Sequence, residues 1–119
     1  MGNILGNQQP EQKQLSAMEL KEIRGNLEKM IKENKVVVFS KTYCPYALKA
    51  KKTLDNLTKN YLVIELNGHP QGSEIQEILA QMTGASTVPR VFVGGVCIGG
   101  GDDTVRLYKS GELEKMLTN

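Results

Sequence analysis

The chain has 119 residues, a formal net charge of +2 and a hydrophobic content of 39%. This length predicts a single domain with a modest core, and so small a charge does not favour a nucleic-acid-binding role. No apolar run approaches the ~20 residues of a membrane span, and two cysteines are too few for a disulfide-stabilised secreted scaffold, so we expect a cytoplasmic protein.

The N-terminal part divides into a tail and the start of a helix. Residues 1–15 are polar and rich in asparagine and glutamine, which is typical of a disordered tail. Ser16 and Glu19 have the spacing of a capping box, in which each side chain accepts a hydrogen bond from the other residue's backbone N–H. A helix from Ala17 to Glu33 is therefore predicted, at the start of a domain that spans residues 16–119. Its apolar positions repeat at helical spacing: Leu20, Ile23, Leu27 and Met30.

The next elements alternate between strand and helix. The apolar run 36–39 is β-branched and aromatic, which predicts a strand buried on both faces. Pro45 suits the first turn of a helix, because its missing N–H has no partner there anyway. That helix has an apolar stripe over 47–57. A second strand is predicted at 61–66, and the turn residues at 67–70 end it.

The C-terminal half predicts three helices and a hairpin. Ser73 and Gln76 repeat the capping-box spacing, and Gly84 is expected to end the helix that they begin. Gly94 and Gly95 form a two-residue hairpin signal. The remaining strands and helices are predicted at 90–93, 96–98, 102–109 and 112–117. Because a helix joins the first two strands, these should be parallel, and the fold class is α/β.

Cys44 is the strongest candidate for chemistry, because it lies where a strand gives way to a helix. The thiolate is the reactive form of cysteine, and the free N–H groups and macrodipole at a helix N-terminus stabilise it. Lys41 can add a second positive charge. Cys97 is interpreted as a buried small apolar residue or as a secondary, oxidation-prone thiol, and no disulfide with Cys44 is expected. The single histidine has no companion ligands, so no metal site is predicted.

Three segments together resemble glutaredoxins. They are Lys-Thr-Tyr-Cys-Pro-Tyr at 41–46, Thr-Val-Pro at 87–89 and Gly-Gly-Gly-Asp-Asp at 99–103. They occur in the order and spacing of that family, and the resemblance covers about residues 36–117. It implies a thioredoxin-like fold, with a four-stranded mixed sheet flanked by helices. It also implies a glutathione-dependent thiol-disulfide oxidoreductase that transfers electrons from glutathione as cosubstrate.

The resemblance implies a glutathione groove around Cys44. In the family, the lysine at position 41 meets the glycine carboxylate of glutathione and helps to hold the thiolate. Gln76 matches a position that reaches the same carboxylate, although the capping box with Ser73 explains it equally well. The implied glutathione-binding residues are Lys41, Tyr46, Gln76, Thr87, Val88, Pro89, Gly100, Gly101, Asp102 and Asp103.

The other end of the tripeptide is assigned in the same way. Val88 would pair its backbone with the cysteinyl residue of glutathione, which requires a cis peptide bond before Pro89. The glycine-rich bend at 99–103 would receive the γ-glutamyl end, since a helix N-terminus offers bare N–H groups to a carboxylate. Asp103 would take the α-ammonium group. Asp102 is also interpreted as an ordinary helix N-cap, and the two roles are compatible.

Ala47 decides between two mechanisms, because many glutaredoxins have a second cysteine at its position. Without that cysteine a protein disulfide cannot be resolved intramolecularly. The resemblance then implies a monothiol path, in which Cys44 attacks the glutathione sulfur of a glutathionylated protein. Ala47 fits a natural single-thiol site or an engineered replacement of cysteine, and the two-cysteine character of the surrounding motif favours engineering.

The alternative function is a dimer that binds a [2Fe–2S] cluster through Cys44 of each chain and glutathione, since thiolates ligate such clusters. Pro45 weighs against it, because it stiffens the loop that a second chain would approach. A non-catalytic thioredoxin-like adaptor is a third interpretation. For the reductase, we expect a monomer whose partners are glutathione and glutathionylated proteins.

Overall fold

The sheet and helices follow the predicted order. The computed structural model describes residues 15–118, so residues 1–14 of the predicted tail lie outside the described residues. The helices are α1 Ala17–Glu33, α2 Pro45–Asp55, α3 Gly72–Thr83, α4 Gly101–Lys109 and α5 Glu112–Thr118. The strands are β1 Val36–Ser40, β2 Leu62–Glu65, β3 Arg90–Val93 and β4 Val96–Gly99. None of the helices within residues 15–118 combines the length and apolarity needed to cross a membrane.

The four strands form one mixed sheet in the order β2-β1-β3-β4. Strands β1 and β2 are parallel, with Phe39 opposite Ile64, as the helical connection between them predicts. Strand β3 runs antiparallel to β1, and β4 antiparallel to β3. Gly94 and Gly95 have φ of 59° and 87°, which confirms the predicted hairpin turn. The four-stranded mixed sheet flanked by helices is therefore confirmed.

Alternation along β1 divides the core between the two faces of the sheet. Val37 and Phe39 pack against α1 and α3, and the Phe39 ring meets Phe92 edge to face at 5.8 Å. Val36 and Val38 pack on the opposite face, against α2 and α5. All five β1 side chains are buried, so the strand that leads to Cys44 is held from both sides.

Of the two predicted capping boxes, the one at α1 is confirmed and the one at α3 is wrong. At α1 the capping box is present: Ser16 N–H donates to Glu19 at 2.8 Å, and Glu19 N–H donates to the Ser16 hydroxyl at 3.1 Å. At α3 the capping box is wrong, because the helix begins at Gly72, before Ser73. A Cβ on Gly72 would overlap the Leu66 carbonyl oxygen, so glycine allows this helix to start against the preceding turn.

The predicted N-cap of α4 is also wrong. Gly100, not Asp102, is the N-cap, and α4 begins at Gly101. Asp103 reaches back instead, and its carboxylate accepts a hydrogen bond from the Gly100 N–H at 2.9 Å. Strand β2 is shorter than the predicted 61–66, because the chain tightens into a 3₁₀ turn at Leu66–Gly68.

Candidate active site

Cys44 is the N-cap residue of α2 and has an extended backbone, with φ −88° and ψ 117°. Its N–H donates to the Lys41 carbonyl at 3.0 Å, which closes a turn between β1 and the helix. Its side chain makes no capping hydrogen bond with α2, so the first N–H groups of this helix are not satisfied by their own N-cap residue. The sulfur is half-buried and lies in the positive field of the helix start.

The segment before β3 faces the sulfur. Cys44 Sγ lies 3.6 Å from the Val88 carbonyl oxygen, which places residues far apart in sequence in direct contact. The Val88–Pro89 peptide bond is cis, as the family resemblance implied. Val88 is half-buried and Thr87 is exposed. The backbone of this segment therefore forms one side of the space next to the thiol.

A polar cleft of about 240 Å³ begins beside the thiol loop. It brings together Lys41 and Gln76, which are 35 positions apart in sequence, and Asn67 and His69 also line it. Within residues 15–118, Lys41 makes no ion pair, so its ammonium group is available to an anion. The Gln76 side-chain amide donates to the Ser86 carbonyl at 2.7 Å, next to Thr87. The structure thus brings these two predicted glutathione residues into one cleft.

The glycine-rich bend packs directly on the start of α2. A Cβ on Gly101 would lie 2.6 Å from the Tyr46 carbonyl oxygen, so only glycine lets α4 approach this closely. Lys49 connects the two helices on the surface: its Nζ lies 3.1 Å from Asp102 and 5.2 Å from the centre of the Tyr46 ring. Tyr46 and the bend are therefore neighbours, as predicted for two parts of one groove.

Asp103 is held as a carboxylate. The Gly100 N–H and then the Arg106 guanidinium, 3.1 Å from its second oxygen, keep the pKa of Asp103 below its ordinary value. Both oxygens accept hydrogen bonds, and each has lone pairs left for another donor. The negative charge at this end of the site is thus fixed and partly exposed.

Arg90 is a site residue that sequence reasoning missed. It is only 9% exposed, and its Nε lies 3.1 Å from the carbonyl oxygens of both Thr87 and Pro89. Its Nη2 reaches the Thr87 hydroxyl at 3.4 Å, and its charge also lowers the pKa of Asp103. A buried arginine rarely lacks a structural reason. The available signal was a charged residue at the start of an otherwise apolar strand, directly after Thr-Val-Pro.

Asn67 was also missed, since the sequence marked it only as a strand breaker. Its side chain makes two hydrogen bonds to Thr42: the amide oxygen accepts from the Thr42 N–H at 3.1 Å, and the amide nitrogen donates to the hydroxyl at 2.8 Å. This pair ties the loop before Cys44 to the end of β2. No local pattern could pair two residues 25 positions apart.

The two remaining positions of interest lie away from the cleft. Ala47 is fully buried in the first turns of α2. Cys97 lies in β4, half-buried, and packs against the cluster formed by α1, α3 and the sheet. Both cysteines are free thiols. Cys44 is thus the thiol beside the cleft, and Cys97 belongs to the packing of the sheet.

Comparison with known proteins gives one family. The glutaredoxin family model matches residues 36–98. A glutaredoxin from Ricinus communis is 52% identical over 89 residues, which cover 75% of this chain and 87% of the relative. Monothiol glutaredoxin-S6 from Oryza sativa subsp. japonica is 44% identical over 89 residues, or 75% of this chain and 68% of the relative.

Solved structures agree with the sequence relatives. The complex of buckwheat glutaredoxin with glutathione has a TM-score of 0.82 and 41% identity, covering 87% of this chain and 94% of that one. Oxidised glutaredoxin 2 from Chlamydomonas reinhardtii has a TM-score of 0.80 and 42% identity, covering 83% and 94%. The predicted thioredoxin-like fold is confirmed by these neighbours. This chain belongs to the glutaredoxin family.

Proposed function

We propose that the protein reduces protein–glutathione mixed disulfides through Cys44 alone, with glutathione as cosubstrate. The observation that carries the proposal is the half-buried sulfur at the start of α2, 3.6 Å from the Val88 carbonyl and beside a polar cleft. A thiolate is stabilised at such a helix start, and a thiolate is what disulfide exchange requires. The similarity to a buckwheat glutaredoxin solved with glutathione supports the same ligand here.

The charges of the site suit the two ends of glutathione. The glycine carboxylate would meet Lys41 and Gln76 in the cleft, where the lysine has no competing ion pair within residues 15–118. The γ-glutamyl carboxylate would lie at the N-terminus of α4, where backbone N–H groups and the helix dipole favour an anion. Asp103 would pair with the α-ammonium group. Between these ends, the Val88 backbone would hold the cysteinyl residue next to Cys44.

The reaction follows from simple disulfide exchange. The Cys44 thiolate attacks the glutathione sulfur of the mixed disulfide, the bond to the protein sulfur breaks, and the released protein thiolate takes up a proton. Cys44 is now disulfide-bonded to glutathione. The thiolate of a second glutathione attacks the glutathione sulfur of that bond, which yields oxidised glutathione and restores the Cys44 thiolate. One glutathione thiol from solution is consumed per mixed disulfide, and the products are the free protein thiol and oxidised glutathione.

Ala47 accounts for the dependence on a second glutathione. Its methyl group cannot form a disulfide with Cys44, so the mixed disulfide must be resolved by a thiol from solution. We therefore expect weak activity on ordinary protein disulfides, whose reduction benefits from a second cysteine in the same site.

The test is the intact mass of the protein after exposure to oxidised glutathione. We expect one added glutathione, mapped to Cys44, and steady turnover of a small glutathione mixed disulfide. Cys44→Ser should lose both, and the matched variant Cys97→Ser should keep both. Modification at Cys97 alone, or parental turnover by Cys44→Ser, would contradict the proposal.

The cluster-binding dimer remains the alternative. Among residues 15–118, no group of three or more histidine, cysteine, aspartate or glutamate side chains could hold a metal within one chain. Cys44 fits such a cluster only as one ligand, the others coming from a second chain and from glutathione. Anaerobic reconstitution separates the two functions, because a coloured, glutathione-dependent dimer without reductase turnover would favour the alternative.

A further inference from the structure

We propose that the outer face of α2 binds the polypeptide that flanks the modified cysteine of a glutathionylated substrate, and that it selects flanks containing acidic and apolar residues. This inference rests on the function proposed above. The surface is a groove of about 340 Å³, called here the α2 groove. Its lining residues are Pro45, Leu48, Lys49, Lys52, Thr53 and Asn56.

The position of the α2 groove suits the polypeptide half of a protein–glutathione mixed disulfide. The groove begins at Pro45, directly after Cys44, and shares no lining residue with the polar cleft of Lys41 and Gln76. When the glutathione half of a mixed disulfide extends from the cleft to the start of α4, the protein half must leave the sulfur in another direction. The α2 groove is a surface next to the thiol that can receive it.

Exposed apolar side chains surround this end of α2. Tyr43 is 71% exposed, Tyr46 53% and Leu48 51%. Tyr43 also lines the polar cleft and Tyr46 is assigned to glutathione, which leaves Leu48 for the polypeptide. Scattered single exposed apolar residues are ordinary, whereas a group beside a reactive atom indicates a contact surface. Leu48 also lines the α2 groove, so an apolar residue of the partner could pack there.

The charge of the α2 groove is cationic. It is lined by Lys49 and Lys52 and by no carboxylate. The acidic residues close to it are engaged: Asp102 pairs with Lys49 at 3.1 Å, and Asp55 pairs with Lys59 at 3.8 Å. In the described part of the chain, the exposed Lys52 makes no ion pair. Lys52 is therefore the cation that a partner carboxylate can reach without displacing another contact, and acidic flanks are favoured.

The experiment compares three peptides of equal length, each glutathionylated at a central cysteine. Their flanks carry glutamate with leucine, serine only, or lysine with leucine. We expect the parent protein to show a kcat/KM about five-fold higher for the acidic peptide than for the basic one at low salt, and a smaller ratio at high salt. Lys52→Glu should lower the ratio to about one or invert it. Leu48→Ala should lower kcat/KM for both leucine-containing peptides about equally.

Lys32→Glu is the matched control. Lys32 is exposed on α1, on the opposite face of the sheet, and its replacement changes the net charge equally. The inference is overturned if Lys32→Glu shifts the peptide preference as much as Lys52→Glu, or if the parent shows no preference. All variants should turn over a small glutathione mixed disulfide at the parental rate. Lack of that turnover in the parent would overturn the proposed function, and with it this inference.

Discussion

Helices α1 and α2 differ in whether the side chain at the N-cap position accepts a hydrogen bond from the first backbone N–H groups. At α1, Ser16 and Glu19 exchange two hydrogen bonds and satisfy backbone N–H groups that a helix start leaves without partners. At α2, the N-cap position holds Cys44, whose side chain makes no capping bond. The closed start stabilises the fold, and the unsatisfied start leaves N–H groups and a positive field for a thiolate. The start of α2 therefore combines a missing side-chain cap with a cysteine at the N-cap position.

Giving α2 a conventional cap is the strongest way to test this comparison. Cys44→Ser should reduce turnover by more than about a hundredfold, since the nucleophile is lost. The same change should raise the free energy of unfolding by up to about 1 kcal/mol, because serine is a favourable N-cap residue. Activity assays and thermal unfolding of the reduced proteins measure both effects. Cys44→Ala is the control: it should be equally inactive and gain no stability.

Removing the nearby cation should have an intermediate effect. Lys41→Ala should slow alkylation of Cys44 by iodoacetate, an anionic reagent, at neutral pH by a factor of about 2 to 10, because the cation that attracts an anion into the cleft is removed. The rate is followed by mass spectrometry of the peptide that contains Cys44, apart from any label at Cys97. Lys32→Ala, on the far face of the sheet, should leave the rate unchanged. Equal rates for Lys41→Ala and the parent would contradict this role of the Lys41 charge.

Opening the start of α1 should affect stability and not activity. Ser16→Ala should lower the free energy of unfolding by about 1 kcal/mol, since the hydrogen bond from the Glu19 N–H to the Ser16 hydroxyl is lost. Turnover should stay at the parental level. Ser73→Ala is the matched control, because Ser73 has the same sequence signature but caps no helix, and its effect on unfolding should be close to zero. A comparable loss in both variants would contradict the capping argument.

The smallest effect on stability is expected from replacing Tyr61, which contacts the C-terminal end of α2, and this effect should depend on pH. Burial, together with the hydrogen bond to Asp55 at 2.7 Å, raises the pKa of Tyr61 to about 12. Because this pKa lies above the ordinary value near 10, the stabilisation is complete below about pH 10 and is lost as the pH rises toward about 12. Tyr61→Phe should therefore destabilise at about pH 8 and differ less from the parent at about pH 11. Denaturant unfolding at the two pH values measures the difference.

Sequence patterns predicted the elements whose structure is determined by residues close together in the sequence. Helix α1 was predicted with its observed bounds, since the capping box and the apolar repeat both lie within the segment. The buried strand before Cys44 and the Gly94–Gly95 turn were predicted for the same reason. The starts of α3 and α4 were not, because they depend on close backbone contacts, that of Gly72 with Leu66 in the preceding turn and that of Gly101 with Tyr46 in another helix.

The residues of the candidate site divide in the same way, into those that the sequence predicted and those that it did not. The position of Cys44 before a helix follows from its neighbours in sequence, and the family resemblance supplied the cleft residues and the cis bond before Pro89. Arg90 and Asn67 could not be found this way, because their importance lies in hydrogen bonds to Thr87, Pro89 and Thr42. Such residues are recognised only once the chain segments they connect are placed side by side.

The contact of Gly101 with Tyr46 also bears on how the protein loses activity. Because α4 is seated on the first turn of α2, and α5 contributes the fully buried Leu113 to the same cluster, the C-terminal helices and the thiol loop belong to one cooperative unit. Slow hydrogen exchange in the first turns of α2 should accordingly depend on an intact C-terminus. Truncation after Lys109 would therefore loosen the surroundings of a sulfur atom 65 positions earlier in the chain.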